Sequence, residues 1–215
     1  MVLNNHRENI EPLLARISKY FIGFNPNTLS LISLIFAFLA GLFFFLSNPN
    51  NELFNFYLYF ASLFVFLNGF FDAIDGKVAK LTKKASSMGD FLDHAIDRFA
   101  DVLILGGLAL SPWCKYPVIG LFAVVGMLLT SYMGTQSQAV GHKRNYSGLL
   151  GRADRLVLLM VTPIIQHILL FTGFIIIWEF NLLEWVLIYF AVMGNVTAVQ
   201  RFISTLIWFK NNKKQ

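Results

Sequence analysis

Long apolar runs occupy most of this 215-residue chain and limit what it can fold into. Six segments have the length and composition of a membrane span, or nearly so: residues 28–47, 53–71, 91–110, 116–134, 156–178 and 183–208. A helix needs roughly 20 apolar residues to cross the hydrocarbon core of a bilayer. Hydrophobic residues make up 56% of the chain, too many for an ordinary soluble domain. The sequence therefore predicts an all-α integral membrane protein, a single domain over 1–215 with a six-helix bundle over 28–208.

The segment before the first apolar run has a different pattern. Apolar residues recur there at helical spacing with charged residues between them: Ile10, Leu13, Leu14, Ile17 and Phe21. This pattern predicts an amphipathic juxtamembrane helix over 5–22 that lies in the membrane interface. Asn25 and Pro26 then break the helix, and Asn27 or Thr28 is expected to cap the first span.

The basic residues fall on one side of the predicted bundle. With six spans, one side receives the N-terminus, the 76–89 and 141–155 loops and the tail, while the other side receives only Lys115 as a cation. The positive-inside rule then places both termini on the cytoplasmic side of the cell membrane. The net charge of +5 is thus explained by topology, and no nucleic-acid partner is predicted. A single cysteine, Cys114, excludes an internal disulfide and a cysteine-based zinc site.

Six of the twelve acidic residues lie between positions 72 and 101, flanked by apolar sequence. Asp72 and Asp75 are three residues apart, and Asp93 and Asp97 are four apart, so each pair lies on one face of a helix. A helical hairpin with a basic loop, bounded by Gly76 and Gly89, would bring the pairs together on the cytoplasmic side. Converging carboxylates repel one another unless cations intervene, and oxygen ligands suit Mg²⁺ or Mn²⁺. The pattern predicts a site for two such ions that holds a pyrophosphate.

An alternative interpretation is that these carboxylates are solvated or paired with neighbouring bases, namely Lys80, Lys83, Lys84 and Arg98. The spacing of four carboxylates with two glycines argues against it. Asp90 and Asp101 are left outside the predicted metal set. Asp90 precedes the third span as a cap or solvated side chain, and Asp101 has Arg98 three residues before it as a partner.

The run Asp72-x2-Asp75-Gly76-x2-Ala79-Lys80-x8-Gly89-x3-Asp93-x3-Asp97 resembles the signature of the CDP-alcohol phosphotransferases, the membrane enzymes that make phospholipids. The resemblance implies a CDP-lipid donor, a polar alcohol acceptor, release of CMP and a homodimer. Lys80 departs from the pattern, because the family usually has arginine there. The positive charge is kept, but the bidentate fork of arginine is lost.

The resemblance also implies a role for each matching position. Asp72, Asp75 and Asp93 would bind two Mg²⁺ or Mn²⁺ ions, and Asp97 would contact one of them. Asp97 would also be the catalytic general base that takes the proton of the acceptor hydroxyl. The nucleotide would be bound by five positions: Asp72, Gly76, Ala79, Lys80 and Gly89.

The acceptor is indicated by weaker signals downstream. Ser131-Tyr132 and the run Gly151-Arg152-Ala153-Asp154-Arg155-Leu156 resemble the branch of the family that uses inositol phosphate. The residues expected to bind a phosphorylated acceptor are Arg152, Arg155, Lys143 or its neighbour Arg144, and Arg201. Residues 133–138 and Gly151 depart from that branch, so glycerol 3-phosphate and serine remain alternative acceptors. The lipid of the donor is diacylglycerol or archaeol, and the sequence does not decide between them.

Two other classes of protein also place carboxylates in membranes. Intramembrane prenyltransferases use aspartate pairs and Mg²⁺, and the spacing of Asp93, Asp97 and Asp101 fits their second motif. Their first motif requires Asn directly before Asp, however, and Phe71 precedes Asp72. A cation transporter would use the carboxylates for transit but would leave the spacing of Gly76, Ala79 and Gly89 unexplained.

Overall fold

The computed structural model describes residues 7–51, 55–143, 145, 147–173 and 178–212, with side chains from Glu11 onward. Within these ranges the chain forms seven α-helices and one short 3-10 helix over Lys19–Phe21. The α-helices are α1 (Arg7–Ser18), α2 (Pro26–Leu46), α3 (Tyr57–Leu81), α4 (Ser87–Ala109), α5 (Pro117–Ala139), α6 (Arg152–Phe171) and α7 (Leu182–Asn212). The prediction of an all-helical membrane protein is therefore confirmed.

Five of these helices, α2, α3, α5, α6 and α7, are long and apolar enough to cross a membrane. Helix α4 has the length but carries Asp90, Asp93, Asp97, Arg98 and Asp101. Because of these charges, apolar composition alone does not identify α4 as a membrane span. Helix α4 packs against both α2 and α5 inside the bundle. The count of six spans, with α4 as the third, stays a prediction.

The helix ends differ from those expected. Asn25 caps α2, with its side chain accepting a hydrogen bond from the backbone N–H of Asn27, and Pro26 occupies the first turn. The expectation that Asn27 or Thr28 is the cap was therefore wrong. Gly76 and Gly89, predicted to bound the loop of the hairpin, lie inside α3 and α4. The loop is only residues 82–86, because the α3 helix continues to Leu81 and Ser86 caps α4 through the N–H of Gly89.

Helix α1 lies beside α3 near the loop of the hairpin. Ile17 and Phe21 pack against a small buried cluster formed by Leu29, Ile74 and Val78. Glu11 forms an ion pair with Lys77 of α3. Residues 5 and 6 of the predicted 5–22 helix, and the side chain of Ile10, lie outside the described part of the chain. The interfacial position of α1 stays a prediction, while its contact with α3 places it against the helix that carries Asp72 and Asp75.

Small residues allow the helices to cross closely. A Cβ atom added at Gly41 of α2 would overlap the backbone carbonyl of Leu103 in α4, and one added at Gly107 would overlap the backbone of Gly41. Gly126 and Gly194 have the same relation where α5 crosses α7. Above and below these crossings the core is filled by apolar side chains, among them Phe44, Leu58, Leu105, Trp113, Leu187 and Phe190. The crossing of α2 and α4 fixes the position of α4 relative to α2.

We expect Gly107→Ala to lower the stability of the protein, because the added methyl group would force α2 and α4 apart. Such overpacking costs about 1–3 kcal/mol. The neighbouring Gly106 is a matched control, since a Cβ there meets nothing within 4 Å. Gly106→Ala should be neutral or slightly stabilising, because alanine is the better helix former by up to about 1 kcal/mol. Thermal unfolding in detergent measures both, and equal melting temperatures would contradict the close crossing.

Candidate active site

The α3–α4 hairpin brings the two aspartate pairs together. Asp75 is close enough to Asp72 and Asp93 for their charges to interact, and Asp97 has the same relation to Asp72 and Asp93. Asp75 and Asp97 are buried, at 4% and 6% exposure. The four carboxylates predicted from their spacing therefore converge across the hairpin. Burial of several like charges is costly unless cations or hydrogen-bond donors compensate them.

Arg152, at the beginning of α6, supplies a first compensating charge. Its Nη1 lies 2.6 Å from Oδ2 of Asp72, and its Nη2 lies 2.7 Å from Oδ1 of Asp97. The guanidinium therefore spans the hairpin from α3 to α4. Its side chain keeps 22% of its surface exposed. The structure thus brings one predicted acceptor residue into direct contact with two predicted metal ligands.

Asp101 extends this network one turn further along α4. Its Oδ2 lies 3.3 Å from Nη2 of Arg155 and 4.0 Å from Nη2 of Arg98, and its Oδ1 lies 4.0 Å from Nε of Arg152. The sequence predicted Arg98 as the partner of Asp101, but Arg155 lies nearer. Asp101 and the side chain of Arg155 are only 5% and 4% exposed. Asp101 is part of the buried network, a position that its four-residue spacing from Asp97 already signalled.

The remaining donors around Asp75 and Asp93 complete the carboxylate face of the site. Ser30 of α2 donates a hydrogen bond of 2.5 Å to Oδ2 of Asp75. His94 lies 3.5 Å from Asp93 and 3.6 Å from Asp90, which is mostly exposed at the start of α4. Sequence reasoning missed Ser30, whose only signal was a hydroxyl within an apolar span.

The ligand atoms that these side chains offer fit a divalent cation. Oδ1 of Asp97 is buried, and the positive charge that faces it is Nη2 of Arg152 at 2.7 Å. Ligand atoms of Asp93, His94 and Asp97 lie within 4.8 Å of one another. Asp72 and Asp75 add carboxylate oxygens from α3. An oxygen-rich set of this kind suits Mg²⁺ or Mn²⁺. His94 was not in the predicted set.

A cavity of about 310 Å³ opens beside the carboxylates, between α2, α3 and the start of α4. Its walls include four of the predicted nucleotide residues, Gly76, Ala79, Lys80 and Gly89, together with Asp75 and Asp93. A Cβ at Gly76 would meet nothing within 4 Å, so this glycine leaves the cavity open. Asp72, also predicted to bind nucleotide, does not line the cavity and contacts Arg152 instead. Further lining residues outside the predicted nucleotide set are Asn27, Lys84 and Ser86.

The other predicted acceptor residues belong to different parts of the chain. Lys143 is exposed in the segment after α5, and Arg144 lies outside the described residues. Arg201 of α7 is buried and donates hydrogen bonds from Nε to the carbonyl of Ser147 and from Nη1 to the carbonyl of Thr130. Arg201 therefore holds the segment that leads into α6. The structure brings Arg152 to the carboxylates and gives Arg201 a place in the support of that segment.

Comparison with known proteins decides the family. A sequence model described as CDP-alcohol phosphatidyltransferase matches residues 24–197, most of the chain. The chain belongs to the CDP-alcohol phosphatidyltransferase family. It is thus a membrane transferase of substituted phosphate groups, and the resemblance seen in residues 72–97 is confirmed. Membership favours this activity over the prenyltransferase and transporter interpretations.

Relatives within the family share most of the chain. An archaetidylinositol phosphate synthase of Pyrococcus horikoshii is 28% identical over 169 residues, 78% of this chain and 85% of that protein. A phosphatidylinositol phosphate synthase of Mycobacteroides abscessus is 28% identical over 184 residues, 83% of this chain and 76% of that protein. The crystal structure of Mycobacterium tuberculosis phosphatidylinositol phosphate synthase with manganese and citrate has a TM-score of 0.68 at 19% identity, covering 90% of this chain and 88% of that one. That likeness shows a shared fold.

We expect Gly76→Val in this CDP-alcohol phosphatidyltransferase to weaken CDP-lipid binding on the order of tenfold or more. The valine side chain would point into the 310 Å³ cavity and take up space next to Asp75. Gly106→Val is the matched control, because that glycine is also helical and its Cβ also meets nothing within 4 Å. Titration of purified protein with a CDP-lipid, followed by thermophoresis, measures the difference. If both variants bind like the parent protein, the nucleotide lies elsewhere.

Proposed function

We propose that this enzyme transfers a phosphatidyl-type group, diacylglycerol phosphate or archaeol phosphate, from a CDP-lipid to inositol phosphate and releases CMP. The reaction would depend on Mg²⁺ or Mn²⁺. One observation carries the proposal: Arg152 meets Asp72 and Asp97 at the same carboxylate cluster whose other side opens into the glycine-lined cavity. The donor site and the acceptor site would therefore adjoin each other at the α3–α4 hairpin.

Different residues would bind the nucleotide and the phosphates of the CDP-lipid donor. The cavity would take the cytidine nucleotide, with Gly76 and Gly89 allowing close approach of the backbone and Lys80 and Lys84 facing its phosphates. Asp72, Asp75, Asp93 and Asp97 would hold two divalent ions. When bound, such ions neutralise the charge that develops on the transferring and leaving phosphates. Ser30 fixes the orientation of the Asp75 carboxylate through its hydrogen bond.

Asp97 would receive the proton in the chemical step. The acceptor hydroxyl oxygen attacks the β-phosphorus of the CDP-lipid while its proton passes to a carboxylate oxygen of Asp97. A new phosphorus–oxygen bond to the acceptor forms, the bond to the bridging oxygen of the pyrophosphate breaks, and CMP leaves with that oxygen. Asp97 suits the role because its buried carboxylate lies beside Asp93, where the ions would bind, and beside Arg152, which would bind the acceptor. A positioned base of this kind contributes about 10²–10⁴-fold to a rate.

Arg152 supports a phosphorylated acceptor. A guanidinium binds phosphate in a bidentate manner, and Arg152 is the more exposed of the two arginines at the start of α6, at 22% against 4% for Arg155. The relatives named as archaetidylinositol phosphate and phosphatidylinositol phosphate synthases favour inositol phosphate among such acceptors. Arg155, Lys143 and Arg201 remain proposed contributors to the same acceptor site.

The placement in the membrane follows from the distribution of charge. Lys77, Lys80, Lys83 and Lys84 surround the loop of the hairpin, and Lys143 and Arg152 flank the segment before α6. By the positive-inside rule these segments, both termini and the carboxylate cluster face the cytoplasm. We propose six spans, with α4 as the third, α1 in the membrane interface, and a homodimer.

We expect a screen of acceptors to give the fastest CMP release with inositol phosphate. The purified protein is supplied with Mg²⁺, a CDP-lipid, and in parallel inositol phosphate, glycerol 3-phosphate, serine and free inositol. Free inositol should be a poor acceptor, because it offers no phosphate to Arg152. Faster release with glycerol 3-phosphate would replace inositol phosphate in the proposal, and faster release with serine would contradict a phosphate-binding role for Arg152.

We expect Asp97→Asn to reduce transfer by about 100-fold or more, because the amide cannot accept the acceptor's proton. Binding of the CDP-lipid should change by only a few-fold, since Asp72, Asp75 and Asp93 are kept. Glu11→Gln is the control for the loss of one carboxylate, as Glu11 contacts Lys77 on α1's side of α3. CMP release and CDP-lipid titration are measured on both. An equal loss of binding and transfer would make Asp97 a metal ligand and not the base.

A further inference from the structure

The guanidinium of Arg152 occupies the same carboxylate oxygens that the proposed function gives to divalent ions. Its two terminal nitrogens lie 2.6 Å from Oδ2 of Asp72 and 2.7 Å from Oδ1 of Asp97. These two residues come from different helices, so a single side chain links α3 and α4 from the third element, α6. Arg152 therefore acts on the ion-binding residues themselves and not on a neighbouring surface.

A divalent ion and this guanidinium repel each other when both are held at those oxygens. Mg²⁺ takes carboxylate oxygens at about 2.0–2.1 Å and demands a near-octahedral shell. A guanidinium nitrogen bonded to the same oxygen would place its positive charge within a few ångströms of the divalent ion. Solvent screens this repulsion little, because Asp97 is only 6% exposed. The two cations are therefore in competition for Asp72 and Asp97.

We propose that Arg152 is a counter-ion that competes with the divalent cation for Asp72 and Asp97, and that cation binding releases its guanidinium to bind an anion. The released group has a place to go. Nε of Arg152 is buried without a hydrogen-bond partner among the described residues and lies 4.0 Å from Oδ1 of Asp101. Asp101 can therefore retain the arginine near the site while its two terminal nitrogens turn to the anion. The place of the cation at Asp72 and Asp97, and the identity of the anion as the acceptor's phosphate, rest on the proposed function.

The neighbouring arginines are placed differently. Arg155 is 4% exposed and contacts Asp101, so it balances that carboxylate and touches neither Asp72 nor Asp97 among the ion pairs described. Arg98 approaches Asp97 at the other oxygen, Oδ2, at 3.3 Å, and its described ion pairs, with Asp97 and Asp101, both lie within α4. Arg152 is the arginine that bridges the two helices. By linkage, a cation that frees it raises its affinity for an anion, and the anion raises the affinity for the cation by the same factor.

The test measures Mn²⁺ binding to the full-length protein in detergent, with no CDP-lipid and no acceptor, from the electron paramagnetic resonance signal of free Mn²⁺. Removing the competitor in Arg152→Gln should tighten Mn²⁺ binding about tenfold. Arg152→Lys keeps the charge but cannot bridge two carboxylates, so its affinity should lie between those of Arg152→Gln and the parent. Lys115→Gln, the same change of charge between α4 and α5, should bind like the parent. Binding by Arg152→Gln that equals or falls below the parent's affinity overturns the proposal.

A second measurement uses the unaltered protein and so does not depend on the folding of a variant. Phenylglyoxal modifies accessible guanidinium groups, and mass spectrometry reads the extent at each arginine. Mg²⁺ should speed the modification of Arg152 several-fold and leave that of the exposed Arg16 unchanged. Unchanged or slower modification of Arg152 overturns the proposal. Because neither experiment contains a substrate, their failure leaves the proposed transfer standing, and failure of the acceptor screen leaves the competition standing.

Discussion

The balance of buried charge between the hairpin and α6 is the interaction on which the rest of the structure depends. Asp72, Asp97 and Asp101 are held inside a bundle of apolar helices, where an isolated carboxylate is costly. Arg152 and Arg155 reach them from the first turn of α6, and this contact requires α6 to begin beside the hairpin. The same arrangement explains why α4, too charged to be recognised as a span by composition, sits between α2 and α5: its polar face is turned to other parts of the protein.

Close helix packing is what makes this burial possible. Gly41 and Gly107 let α2 and α4 approach until backbone meets backbone, and α2 then brings Ser30 to the carboxylate of Asp75. A larger residue at the crossing would push α2 away from α4, and Ser30 would move with α2. The small residues and the hydroxyl are separate features in the sequence, yet they serve one geometry, since a polar contact inside a membrane protein needs its partners within hydrogen-bonding distance.

Local spacing in the sequence predicted the contacts made within the α3–α4 hairpin, but few of the contacts between the hairpin and other helices. The intervals between Asp72, Asp75, Asp93 and Asp97 were enough to predict that four carboxylates converge, because helical periodicity places each pair on one face. The starts of α2 and α4 were missed, since the caps at Asn25 and Ser86 depend on side-chain hydrogen bonds that spacing does not show. The bridge from Arg152 to Asp72 joins residues 80 positions apart, and Asp101 was underrated because its nearest partner, Arg155, lies on another helix. Long-range ion pairs of this kind have no local sequence pattern.

The two substrates of the proposed reaction differ in how their sites are built. The proposed donor cavity is lined mostly by residues 75–93, a single short stretch of the hairpin, and is closed on one side by the start of α2. The proposed acceptor side depends on Arg152, which follows a segment held by Arg201 through the carbonyl of Ser147 and by Thr197 through the N–H of Leu150. A change in α7 can therefore alter the acceptor side through the backbone before α6, without contacting the acceptor. This dependence on several distant elements accounts for a donor motif that is easy to recognise and an acceptor that is not.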